Sequence, residues 1–162
     1  MKTVLLVILA LFSAGAFAVE PIYSELDAEW SSDLAAKRAF VAALAEKHYG
    51  YRLSGTAKDL PVLQRIVDEN LVSHENTADL QALGVVFGDA TAADINAEWK
   101  QVKDEYGENP VLKIRGKRAA IGALTIISKR IEDQGTVNVI MLHDNLVRDV
   151  KRLSSEFGVD SH

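Results

Sequence analysis

Gly84 and Gly88 stand four residues apart inside an otherwise apolar run, LQALGVVFGDATA, residues 80–92. Leu80, Leu83 and Phe87 recur at helical spacing with Val86 and Ala90 beside them, so the run reads as a helix with both glycines on one face. A glycine in a helix interior costs about 1 kcal/mol relative to alanine. Two of them on one face therefore predict that another backbone passes close by. The rival explanation is a phosphate-cradling loop, but Gly84-Val85-Val86-Phe87-Gly88 lacks the glycine spacing and the preceding strand that such loops need.

This helix opens the stretch Leu80–Asp133, around which the rest of the chain is organised. Beyond Asn96 the pattern becomes extended. Trp99–Tyr106 and Val111–Arg115 flank Gly107-Glu108-Asn109-Pro110, a run of turn formers, which predicts a hairpin with a four-residue loop. Pairing Tyr106 with Val111 would place Asp104 opposite Lys113 and Val102 opposite Arg115, with Glu105 on the other face. Gly116-Lys117-Arg118 then turns the chain into a third strand, Ala119–Leu124, apolar or small throughout. From Thr125 the pattern is helical again until Gly135, with Ile126, Ile127 and Ile131 able to face inward.

The flanks read as helical. A lead-in, Val19–Trp30, has no clear period. A helix is expected from Ser31-Ser32-Asp33 to about His48, stopped by Gly50, with Leu34, Val41, Leu44 and His48 on one stripe and Phe40 beside it. After a loop, Asp59 is expected to cap a second helix carrying Leu60, Leu63, Val67 and Leu71, with Gln64, Arg65, Asp68 and Glu69 on its wet side. Thr77 begins the glycine-bearing third helix. Asn138 would cap a last helix with Val139, His143, Leu146, Val150, Leu153 and Phe157 on one stripe, ended by Gly158. The expected fold is α+β: three N-terminal helices, a small antiparallel sheet of about three strands, a short helix and a C-terminal helix.

The first residues constrain location. Lys2, the apolar run Val4–Phe12 and the small residues of Ala16-Phe17-Ala18 form an export signal with cleavage expected before Val19. Ala14-Gly15-Ala16 offers a second frame. A spanning helix needs roughly 20 apolar residues, and this run is broken by Ser13 and Gly15. Cleavage would leave residues 19–162 as one α+β domain in the periplasm or outside the cell, with no membrane anchor. Loss of Lys2 takes the net charge of −5 to about −6. That balance argues against nucleic acid and anionic membrane as partners. The absence of cysteine excludes thiol catalysis, cysteine-based metal sites and a lipid-modified N-terminus.

Four segments, Leu83–Gly88 with Trp99, Asp104-Glu105-Tyr106-Gly107 and Ile127-Ser128-Lys129-Arg130-Ile131-Glu132, resemble a bacterial family known only as domain of unknown function 3806. The resemblance spans roughly Leu80–Val139. The chain departs from the family pattern at Gly122-Ala123-Leu124, where an aromatic–proline pair is usual, and at Asn138, where an acid is usual. The resemblance implies a compact α+β domain in Gram-negative bacteria and no assigned activity.

Chemistry is sparse. His48, His74, His143 and His162 have no metal-ligand spacing, and His143 fits a hydrogen-bonded core position. No serine sits in a glycine-flanked elbow. Adjacent strand residues face opposite ways, so Asp104 and Glu105 cannot pair as acid and base; a hydrolase would need a further acid such as Asp89, Asp94 or Glu132. The simpler expectation pairs Asp104 with Lys113 and Glu105 with a cation such as Arg130. Arg130 could alternatively grip a ligand carboxylate or phosphate. The binding candidates are Trp99, Asp104, Glu105, Tyr106 and Arg130, with no catalytic residue, metal or cofactor. The leading expectation is a non-catalytic periplasmic binding or protein-interaction module. The alternatives are a carboxylate-dependent hydrolase with its site beside the sheet, and an envelope-stress or structural protein.

Overall fold

A computed structural model of the chain describes the backbone of residues 20–156 and the side chains of residues 20–153. The expected export signal, Phe157, Gly158 and His162 lie outside the described residues. Strand β1 (Ile22–Ser24) leads into helix α1 (Ala28–Tyr49), followed by α2 (Leu60–Asp68) and α3 (Thr77–Ala92). Strands β2 (Ala97–Asp104), β3 (Gly107–Ile114) and β4 (Ala120–Ile121) come next, then α4 (Ile126–Gln134) and α5 (Val139–Glu156). Single 3₁₀ turns precede α2, at Ala57–Asp59, and α4, at Ala123–Thr125.

The fold is α+β, and its sheet has four antiparallel strands in the order β1-β2-β3-β4 rather than three. The additional strand lies in the lead-in. Ile22, Tyr23 and Ser24 pair with Lys103, Val102 and Gln101, and three residues are too few to show alternation. The first helix also starts earlier than Ser31. Asp27 caps it, accepting a 2.8 Å bond from the Trp30 amide, and Gly50 ends it in the left-handed region at φ 60°, where glycine carries no steric penalty.

The hairpin register differs from the expected one. Asp104 pairs with Gly107, so the loop is Glu105-Tyr106, and Lys113 stands opposite Glu98. Gly107 adopts φ 112° at the turn exit, which a side chain would resist. Pro110 sits inside β3 opposite Gln101. It is tolerated there because β4 reaches only Leu112 and Lys113, so the proline nitrogen can face an open edge. The third predicted strand shrinks to Ala120–Ile121, and Ala123–Leu124 turn into the 3₁₀ segment.

Helix α3 is the centre of the molecule. Helices α1, α2, α4 and α5 and the 123–125 turn all pack against it, and Leu80, Leu83, Val85, Val86 and Phe87 are buried around its circumference, as an all-round apolar helix requires. The glycine notches are used. A β-carbon at position 84 would stand 2.7 Å from the Ala123 carbonyl oxygen and closer still to that of Leu124; one at position 88 would stand 2.5 Å from the Trp99 ring. The 123–125 turn and the Trp99 indole thus fill the two notches. The main core joins Phe87 to Leu63, Ile66, Leu112, Ile127 and Leu146, and a smaller one joins Leu34, Val85 and Leu124 near Trp99.

Candidate functional site

Helix α1 carries a cation on its inward stripe. Arg38 lies between Leu34 and Val41, both fully buried, at i+4 and i−3 from them. On α3, Asp89 follows Val85 by four residues and so projects from the same side. The two meet: Arg38 Nε donates to Asp89 Oδ2 at 2.6 Å and Nη2 to Oδ1 at 2.9 Å. Trp99 Nε1 adds a third bond to Asp89 Oδ1 at 2.8 Å. The hydrogen bonds that Arg38 donates to Asp89 raise its pKa in spite of desolvation, so the guanidinium stays charged. Helix α1, helix α3 and the sheet are therefore tied at one point by a carboxylate with three donors.

A groove of about 350 Å³ opens beside this point, lined by Arg38, Ala39 and Ala42 of α1, Val86 and Asp89 of α3, and Leu53, Gly55 and Asp59 of the connecting segment. Asp59 determines the shape of that segment. It occupies the expected cap position, but its side chain makes no capping bond to α2. Fully buried, it instead accepts from the Ser54 and Gly55 amides at 2.9 and 2.7 Å, the Ser54 hydroxyl at 2.8 Å and the Tyr51 hydroxyl at 3.0 Å. Burial alone would push its carboxyl pKa up, but the bonds from Ser54, Gly55 and Tyr51 hold it below the usual carboxylate range.

The five residues singled out from sequence are dispersed. Trp99 belongs to the Arg38–Asp89 cluster. Asp104, Glu105 and Tyr106 form the hairpin tip: Asp104 Oδ1 accepts from the Tyr106 amide at 2.8 Å, and Tyr106 is 77% exposed. Asp104 does not pair with Lys113, whose ammonium bonds the Ile114 and Lys117 carbonyls and stands 4.9 Å from the Tyr23 ring centre. Arg130 is half-buried on α4; burial lowers its pKa, and Asp133 is the neighbouring charge that opposes this. Glu105 and Arg130 form no ion pair among the described residues. The expected register set Asp104 opposite Lys113 because it began the loop at Gly107, two residues later than the observed Glu105-Tyr106.

Other polar groups serve the framework. His143 is 7% exposed, with Nε2 3.1 Å from Asp94 and Nδ1 3.1 Å from Asp144, tying α5 to the end of α3. Gln64, expected on the wet side of α2, bonds the Val137 carbonyl at 3.1 Å and accepts from the Val139 amide at 2.6 Å, beside the Asn138 cap. Sequence reading missed Arg38 as a site residue. Its signal was present: a charge between two apolar residues of one helical stripe needs a partner.

A family model described as "Domain of unknown function (DUF3806)" matches residues 59–143, a segment that holds α2 to the start of α5 and leaves Arg38 outside. No curated protein matches. Among solved structures, a crystal structure from Bacteroides thetaiotaomicron VPI-5482 is similar in fold, with a TM-score of 0.70 and 17% identity over 80% of this chain. The match spans 48% of that chain, about half its length.

Proposed function

The chain belongs to this family of domains of unknown function, DUF3806, so membership brings no activity with it, and we propose that it is an exported, non-catalytic binding or protein-interaction module. The observation that carries this reading is the engagement of four aspartates. Asp89 is held by Arg38 and Trp99, Asp59 by Tyr51, Ser54 and Gly55, Asp94 by His143 and Asp104 by its own turn. General acid–base work needs a carboxyl free to exchange a proton at the operating pH, with a second group placed across the substrate. Acids already engaged as hydrogen-bond acceptors are suited instead to holding a preformed surface. The leader sequence supports a periplasmic location, and the acidic balance supports a protein or small-molecule partner over a polyanion.

Native mass spectrometry of protein isolated from its own host tests this reading. A stoichiometric protein or small-molecule adduct is the expected result. A bare mass from repeated gentle isolations, together with failure to recover any partner from periplasmic extract, would count against it.

A further inference from the structure

We propose that the groove between α1, α3 and the Tyr51–Asp59 segment binds a small, uncharged, amide-bearing molecule, with its carbonyl oxygen on Arg38. The proposal rests on the binding-module reading and supplies its site and ligand class. Arg38 has five N–H donors, and its contacts among the described residues go to Asp89, through Nε and Nη2. Three N–H groups therefore remain to face a ligand, on a guanidinium whose plane is already set by the two bonds to Asp89 and, behind them, by the Trp99 indole. Such a fixed donor loses little freedom when an acceptor arrives.

Charge selects the acceptor. The lining carries Arg38 against Asp89 and Asp59, one positive charge and two negative, so an anion meets a net repulsive field. A cation fares no better: Asp59 is buried with its oxygens occupied, and Asp89 already accepts three bonds. What remains is a set of donors without excess positive charge, which suits the oxygen of an uncharged amide. The other walls are Ala39, Ala42, Leu53 and Val86, apolar and able to receive an aliphatic flank. The volume of about 350 Å³ is within the range of small-ligand sites. The groove is also preformed, because the bonds to Asp59 fix the Ser54–Gly55 wall, and the alanines at 39 and 42 are short side chains that leave the space beside Arg38 open.

The test follows the Arg38 Nε–H and Trp99 indole N–H resonances of the whole protein by NMR during titration with N-acetylleucinamide. N-acetylleucine serves as the anionic control and isoamylamine as the cationic one. The amide should give saturable shifts at both resonances, with the anion and the amine at least about tenfold weaker, a gap of about 1.4 kcal/mol. Ala39→Leu, at an exposed position, should weaken amide binding by about tenfold or more with the spectrum otherwise preserved. Ala42→Leu provides a second obstruction should the first disturb α1. Absence of saturable shifts, unaltered affinity in both folded variants, or tighter binding of the anion would overturn the proposal. A host-derived adduct that persists in Ala39→Leu protein would overturn the groove as its site while leaving the binding module standing.

Discussion

Replacing Asp59 by alanine removes an acceptor that four donors share and leaves the Ser54 and Gly55 amides without their partner. Unmade bonds to buried charged groups cost roughly 1.5–3 kcal/mol, so a loss of about 3 kcal/mol is expected in denaturant unfolding. The pH dependence has a definite sign. The folded-state pKa of Asp59 lies below its unfolded value, so its stabilisation is complete above about pH 4, near the unfolded value, and disappears as pH falls through the folded one. The stability difference between wild type and Asp59→Asn should be flat at neutral pH and shrink in acid; a difference that grew in acid would show the sign to be wrong. At the neighbouring cluster, Trp99→Phe deletes the N–H bond to Asp89 and the outer ring edge that fills the Gly88 notch. The lost bond should cost about 1 kcal/mol and the emptied notch about 1 kcal/mol or more, and a double-mutant cycle with Asp89→Ala should show coupling between the two sites. A sum of independent effects would mean that the indole bond contributes nothing.

Helix α3 gives two glycines of unequal rigidity. At position 84 the obstacle is backbone, the carbonyls of Ala123 and Leu124; at position 88 it is the far edge of the Trp99 ring. Alanine gains about 1 kcal/mol of helix propensity at each. Overpacking against backbone costs more, typically 1–3 kcal/mol and sometimes beyond. Gly84→Ala should therefore destabilise clearly, and Gly88→Ala should do so less because an indole can tilt. Equal midpoint shifts in chemical denaturation would contradict this ordering. That another chain segment presses on these glycines was legible from their spacing alone, since two expensive residues on one face of an apolar helix have few other uses. Which segment it is was not legible. The hairpin shows the converse: Gly107-Glu108-Asn109-Pro110 has the composition of a turn, yet all four residues sit in β3. Turn composition describes local preference, whereas register follows the burial of Trp99, Gln101 and Leu112 against the helices, which one strand's sequence does not reveal.

For the whole molecule, export predicts that N-terminal sequencing of protein from the host periplasm begins at Val19; a first residue inside Met1–Ala18 would place cleavage elsewhere or show none. No described helix is long and apolar enough to cross a membrane. The sequence by itself determined the α+β class, the five helices, the glycine contact and the place of His143 on a buried stripe, because each is a matter of periodicity or of residue cost within one element. Trp99 was reached through its family-like surroundings, but its partners were not. Tertiary structure alone decided that β1 completes the sheet, that Asp59 organises a loop instead of capping a helix, and that Arg38, 51 residues before Asp89, meets it beside an open groove. Those outcomes depend on how separate helices and strands are brought together. Local propensity sets what each segment can form, and only packing around α3 sets which charged groups must find one another in the low dielectric between them.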